Sequence, residues 1–147
     1  MFEAIEAYFQ RGFSLTEKDK ELIRSVFTPR QLKKDEFLVR EGEINKNGAF
    51  VAKGFLRSYV IDNKGKEHIV QFAPENWWIS DKDALAGART STLFIDAIED
   101  SDLLLLDLAG HQTLMEKLPG YAASFQQGIH KRMAAKDQRI INTSGGF

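Results

Sequence analysis

The central half of the chain consists of short β-rich segments separated by glycine and aspartate turns, and this pattern constrains the fold more than any other feature. Gly54 interrupts the longest β-rich run, where a bulge or strand break is expected. Gly65 closes the turn at 62–65, which is typical of a hairpin. The predicted strands are 37–39, 48–61, 66–72, 91–98 and 103–106. Several short strands at regular spacing indicate a small all-β barrel or jelly roll.

Both ends of the chain have helical periodicity instead. Residues 2–9 predict a short helix that ends near Gly12. A second helix is predicted to begin at Thr16, because Asp19 three residues later completes a capping pattern, and to end before Pro29. A third short helix is predicted at 108–118. The apolar face of the second helix is formed by Leu22, Ile23, Val26 and Phe27.

A long final helix is predicted from Pro119, which suits a first helical turn, to about residue 142. About 23 residues at 1.5 Å each give a rod of roughly 34 Å. Its narrow apolar stripe resembles a coiled-coil seam, so we expect it to form a homodimer contact, and residues 144–147 to be a frayed tail. The residues of the stripe are Tyr121, Phe125, Ile129, Met133 and Ile140.

Composition and motifs argue against several classes of function. With 20 Lys+Arg and 21 Asp+Glu the net charge is −1, so binding of nucleic acid by bulk charge is not expected. The absence of cysteine excludes disulfides and Cys-ligated metal sites. His68, His111 and His130 lack the spacing of a metal site, which argues against a jelly-roll enzyme of cupin type, and we find no motif of another enzyme class. The N-terminus has no export signal, so we expect a cytoplasmic protein with no membrane segment.

The ordered set of motifs resembles the sensor domain of Crp/Fnr-type transcription regulators. The segment Phe37-Leu-Val-Arg-Glu-Gly-Glu is similar to the family's opening strand and Gly-Glu turn, and Phe50-Val-Ala-Lys-Gly-Phe-Leu-Arg to a later strand. The hairpin at 62–72 and the turn between strands at 96–103 continue the likeness, which runs from about Leu15 to Ile141. The resemblance implies a mainly β fold with flanking helices. It would be a double-stranded β-helix (jelly-roll or β-roll) of the cyclic-nucleotide-binding-domain kind, with a long C-terminal helix. Residues 1–118 would form the helical lead-in and β-roll sensor domain, and 119–147 the dimerisation helix and tail.

The same resemblance locates a candidate ligand site. The family binds a cyclic phosphate with Gly-Glu at the start of a short helix and Arg-Ser/Thr-Ala about ten residues later. A helix N-terminus and an arginine favour the phosphate, and the glutamate takes the ribose hydroxyl. Here Ser80-Asp81 replaces Gly-Glu, Ser91 stands at the arginine position, and Thr92 takes the hydroxyl position. Arg89 lies two residues before the arginine position, and in a β-strand this would place it about 6.6 Å from Ser91. The candidate ligand-binding residues are Trp78, Ile79, Ser80, Asp81, Arg89, Ser91, Thr92, Lys136 and Asp137.

The resemblance therefore implies an effector-sensing and dimerisation domain with a degraded phosphate cassette. The ligand would be a cyclic nucleotide (cAMP or cGMP) or another small anion, and no cofactor is certain. The chain ends at Phe147. We therefore expect a sensor domain cut from a longer regulator or a naturally short one, with DNA bound only through a helix-turn-helix domain absent from this chain. The alternative is a ligand-independent dimerisation or scaffold module that pairs with full-length regulators.

Overall fold

The structure, a computed structural model, describes residues 1–81 and 90–125. Helices α1 (Phe2–Gln10) and α2 (Glu17–Val26) precede the strands, and α3 (Leu108–Lys117) follows them. Residues 119–125 begin a further helix. The predicted helical ends are thus confirmed as far as the described residues reach, and the remainder of the long helix lies outside them.

Within the described residues, eight strands form two four-stranded antiparallel sheets that enclose a core, which confirms the predicted β-roll. One sheet has the strand order β1-β8-β3-β6 and the other β2-β7-β4-β5. The strands are β1 (Thr28–Leu32), β2 (Phe37–Val39), β3 (Asn47–Lys53), β4 (Leu56–Ile61), β5 (Glu67–Ala73), β6 (Trp78–Ile79), β7 (Phe94–Ala97) and β8 (Ser101–Asp107).

Local sequence signals account for the start of α2. The backbone N–H of Asp19 donates to the Thr16 hydroxyl at 3.1 Å, and the Thr16 N–H donates to the Asp19 carboxylate at 2.9 Å. This reciprocal pair satisfies two backbone donors that a helix N-terminus otherwise leaves free. The predicted capping box is therefore present.

The first strand differs from the prediction. Pro29 lies inside β1, whereas the sequence pattern only indicated that it stops the preceding helix. Four of the five residues in β1 are exposed, so the strand has no alternation of apolar residues that would reveal it. It is an edge strand, paired only with β8, and an edge tolerates a residue without a backbone N–H.

Strand β8 joins two separate parts of the core. Leu103 and Leu105 pack inside the roll, whereas Leu104 and Leu106 pack beneath the helices. Because successive side chains of a strand point to opposite faces, four consecutive leucines supply both clusters. Each buried leucine contributes about 1.5–3 kcal/mol of apolar burial. The roll and its helices are thus held together through one strand.

The predicted strand at 91–98 is shorter in the structure, where β7 begins at Phe94. Residues 90 and 91 pair instead with the turn that follows β2. Thr90 forms an isolated antiparallel bridge with Ile44, and the Ser91 N–H donates to the Glu43 carbonyl at 2.7 Å. This pairing brings Ser91 beside the end of β6, where the candidate site lies.

Candidate effector site

A buried carboxylate forms the centre of the candidate site. Asp81 follows β6 and is 3% exposed. Its Oδ2 accepts hydrogen bonds from the Thr92 N–H at 2.9 Å, from the Ser91 hydroxyl at 3.0 Å and from the Thr92 hydroxyl at 3.2 Å. The structure therefore brings together three of the residues that the sequence indicated, although they are separated by ten positions.

The position of Ser91 is fixed by the turn after β2. The Gly42 N–H donates to the Ser91 carbonyl at 2.8 Å, and the Glu43 carbonyl accepts from the Ser91 N–H. Gly42 has φ +88°, a left-handed conformation that favours glycine. Ser91 is 2% exposed, and its hydroxyl also lies 2.9 Å from the Leu93 carbonyl. The Gly-Glu turn thus holds the hydroxyl that faces Asp81.

The sequence gives no local signal for this role of Gly42 and Glu43. The resemblance marks the Gly-Glu turn as the end of a strand, without relating it to the cassette. Its partner Ser91 is almost fifty positions away, so only the folded chain reveals the contact. Short-range periodicity and turn chemistry carry no information at that distance.

The aromatic residue before the site belongs to the core. The Trp78 ring packs against Phe50 at 5.2 Å, Phe27 at 6.0 Å and Tyr8 at 6.2 Å between ring centroids. Ile79 is 2% exposed and packs inside the roll, and Ser80 is partly exposed. Of the candidate ligand residues, Trp78 and Ile79 therefore support the site from the core.

Other predicted site residues lie outside the described residues. They are Arg89, Lys136 and Asp137 of the ligand site and Ile129, Met133 and Ile140 of the dimer helix. Two stripe residues are described. Tyr121 is 6% exposed and packs on Phe9 of its own chain, whereas Phe125 is 36% exposed.

Tyr121 also fixes the start of the last helix to α3. Its hydroxyl lies 2.6 Å from Nδ1 of His111. Burial lowers the pKa of His111, which favours the neutral imidazole, and burial raises the pKa of Tyr121, which keeps the phenol protonated. In these protonation states the phenol and the imidazole share one hydrogen bond, and the histidine tautomer decides which of them donates. The Phe125 ring adds a contact with His111 at 4.7 Å between centroids.

An arginine on the second sheet is already paired. Arg57 Nε donates to Asp96 at 2.8 Å and its Nη2 donates to the other carboxylate oxygen at 3.2 Å. The guanidinium also lies 4.3 Å from the centre of the Tyr59 ring. The hydrogen bond to Asp96 raises the pKa of Arg57. This arginine holds β4 to β7 and is bound to a carboxylate of its own chain.

The described parts of the chain contain neither a metal-ligand cluster nor a membrane-spanning helix. No group of three or more His, Asp or Glu side chains within residues 1–81 and 90–125 is arranged to hold a metal ion. No helix in these two ranges is both long enough and apolar enough to span a membrane.

The donors around Asp81 form an internal contact. A phosphate is bound by N–H donors, hydroxyls and cations. Here one N–H and two hydroxyls already donate to a carboxylate that is buried.

Comparison with known proteins agrees with this architecture. Residues 29–117 match the family model for the cyclic nucleotide-binding domain. No curated protein sequence matches the chain.

Solved structures with the same fold include three informative examples. The catabolite activator protein of Thermus thermophilus is 20% identical with a TM-score of 0.74, and the match covers 93% of this chain and 63% of that chain. The sensor domain of the transcriptional regulator DNR from Pseudomonas aeruginosa is 14% identical with a TM-score of 0.72, and the match covers 94% of this chain and 89% of that domain. The cAMP-bound PfPKA-R is 16% identical with a TM-score of 0.64, and the match covers 80% of this chain and 42% of that chain.

The matched segment begins at the second residue of β1. It contains the rest of that strand, the seven other described strands and α3. At these identities the solved structures establish the fold, and the family match, which covers more than half of the chain, establishes the family. The chain belongs to the cyclic nucleotide-binding domain family and has the fold of the sensor domain of a transcriptional regulator.

Proposed function

We propose that this chain is the effector-sensing and dimerisation domain of a Crp/Fnr-like transcription regulator, and that its own Asp81 closes the phosphate cassette. The observation that carries the proposal is the set of hydrogen bonds from Ser91 and Thr92 to Asp81. By the resemblance, these two positions hold the arginine and the hydroxyl that would bind a cyclic phosphate. An internal carboxylate thus takes the hydrogen bonds that a ligand phosphate would receive.

Two consequences follow for ligands. A cyclic nucleotide must displace Asp81 from the Thr92 N–H and also approach its negative charge. A ligand that leaves these hydrogen bonds intact, and that carries no negative charge where it faces Asp81, avoids both the loss of the bonds and the repulsion. We therefore expect weak binding of cAMP and cGMP, and selectivity for effectors of different chemistry.

Replacing Asp81 by asparagine tests the proposal. Asp81→Asn removes the charge while keeping an oxygen acceptor of nearly the same size. The affinity for cAMP and cGMP, measured by calorimetric titration, should increase about tenfold to a hundredfold, which corresponds to about 1.4–2.8 kcal/mol.

Asp35→Asn is the matched control. It removes the same charge from an exposed turn residue with φ 72°, a conformation that asparagine tolerates well. Its affinity for both nucleotides should equal that of the unchanged protein. Equal affinities for the Asp81 and Asp35 variants, with both shown by thermal unfolding to be folded, would contradict the proposed role of Asp81.

The dimerisation part of the proposal rests on the last helix. Tyr121 anchors its first turns to Phe9 and His111. Phe125, one turn later, is 36% exposed, so the stripe is partly accessible at this position. We propose that the contact with a second copy is formed by Phe125, Ile129, Met133 and Ile140.

The internal contact at Asp81 also favours a second candidate function. A domain whose cassette is permanently closed would serve as a ligand-independent partner of full-length regulators. Co-expression with a full-length regulator of the same family, followed by affinity capture, distinguishes the two. A stable mixed dimer together with no response to any effector would favour the scaffold function over the sensor.

A further inference from the structure

A second candidate binding site lies beside β1, β2 and the Gly-Glu turn. A cavity of about 420 Å³ is lined by residues of β1, β2 and the segment 43–47. This volume is in the range of small-molecule sites. Neither Asp81 nor Ser91 and Thr92 line it, so it is separate from the site described above.

The walls of this cavity are basic. Arg30, Arg40 and Lys46 line it and all three are exposed. Among the lining residues that the structure describes, Glu43 is the one acidic residue. Within the described chain, none of these three cations forms an ion pair with a carboxylate. Glu43 accepts the Arg40 backbone N–H at 2.6 Å, so one of its oxygens is bound to the backbone.

The position of one guanidinium is fixed by an aromatic ring. The Arg40 guanidinium carbon lies 4.7 Å from the centre of the Phe37 ring, which also lines the cavity. A stacked guanidinium loses little freedom when it binds a planar or tetrahedral anion. Three unpaired cations around a concave surface, in a chain of net charge −1, indicate a local rather than a general attraction for anions.

We infer that this cavity binds a small polyanion bearing phosphate or carboxylate groups. Arg30, Arg40 and Lys46 would neutralise its charge. The site is connected to the cassette through Ile44, which lines the cavity and bridges to Thr90. The inference does not depend on the proposed role of Asp81.

Calorimetric titration at constant ionic strength tests the inference, with pyrophosphate as the phosphate probe and citrate as the carboxylate probe. One of them should bind saturably with one site per chain. The triple variant Arg30→Gln, Arg40→Gln, Lys46→Gln should weaken that binding at least about tenfold. The control triple variant Lys53→Gln, Lys64→Gln, Lys66→Gln, which removes three charges from exposed positions elsewhere, should stay within about twofold.

Absence of saturable binding of both probes to the unchanged protein, or equal weakening in the two triple variants, would overturn the inference. Asp81→Asn should leave this binding unchanged, so a failure of the cassette proposal would be seen independently.

Discussion

Two residues of the second sheet, Arg57 and Asp96, form a two-point ion pair that should measurably stabilise the roll. Asp96 is 7% exposed, and the pair joins β4 to β7 through bonds of 2.8 and 3.2 Å. A double-mutant cycle with Arg57→Gln and Asp96→Asn should give a coupling free energy of about 1–3 kcal/mol in urea unfolding. The exposed pair Lys20–Glu17 should give less than about 0.5 kcal/mol. Equal coupling in the two pairs would contradict this account of Arg57.

A single histidine should make stability depend on pH. Burial lowers the pKa of His111 below its usual value of 6.5, so between the lowered pKa and 6.5 the unfolded chain binds more protons than the folded one. The stabilisation is therefore complete above about pH 6.5 and is lost as the pH falls towards the folded pKa. The free energy of unfolding should decrease between pH 7 and pH 5.

His111→Gln checks this assignment. The variant should unfold with a smaller pH dependence across the same range, and Tyr121→Phe, which removes the hydroxyl that is hydrogen-bonded to the imidazole, should lower stability at pH 7. An unchanged pH slope in His111→Gln would show that another group is responsible.

The sequence indicates single residues of the site, but not the contacts that they make with residues far away in the chain. The resemblance indicates Asp81 because it stands at the glutamate position of the motif, and Ser91 and Thr92 because they stand at the arginine and hydroxyl positions. That these three bond to one another follows from pairing of residues 90 and 91 with the turn at 42–44. Such pairing depends on tertiary structure, which periodicity does not encode.

At the scale of elements, the junction between β3 and β4 depends on Gly54. Its φ is +107°, and an added Cβ would lie 2.7 Å from the Asp100 carbonyl oxygen and still closer to Ser101. Gly54→Ala should therefore lower the free energy of unfolding by about 2–4 kcal/mol, through strain and steric overlap together.

Gly65 is the control for this effect. Its φ is +81°, but no atom lies within 4 Å of an added Cβ. Gly65→Ala should cost only about 1 kcal/mol, from the left-handed conformation alone. Similar losses in the two variants, measured by urea unfolding, would exclude steric overlap with residues 100 and 101 as the cause.

The sequence predicts those elements that have turn residues or a periodic pattern of apolar residues, and it does not predict strands that have neither. The β4–β5 hairpin follows from the turn at 62–65, where the Asp62 carboxylate accepts the N–H groups of Lys64 and Lys66. Strand β1 is mostly exposed and β6 has two residues, so neither has a periodic pattern. Both exist because β8 and β3 offer them unpaired edges.

At the scale of the whole molecule, the proposed dimer should depend on the last helix. Replacing Phe125 and Ile129 by aspartate should give a monomer in sedimentation velocity, because two charges would interrupt the apolar stripe. Phe72→Asp, which changes a half-exposed residue on β5, should leave the dimer intact. A dimer that persists in the Phe125 and Ile129 variant would contradict the helix contact.

The central claim is that this cyclic nucleotide-binding domain has a cassette closed by its own Asp81, and a thermal-shift titration of the unchanged protein with cAMP and cGMP tests it most directly. A ligand at 100 times its Kd adds about 2.7 kcal/mol, which for a domain of this size raises Tm by roughly 5–10 °C. The account predicts no appreciable shift at millimolar nucleotide. A saturable shift of several degrees that disappears in Arg89→Ala would contradict it, because it would show an open cassette that uses Arg89 for the phosphate.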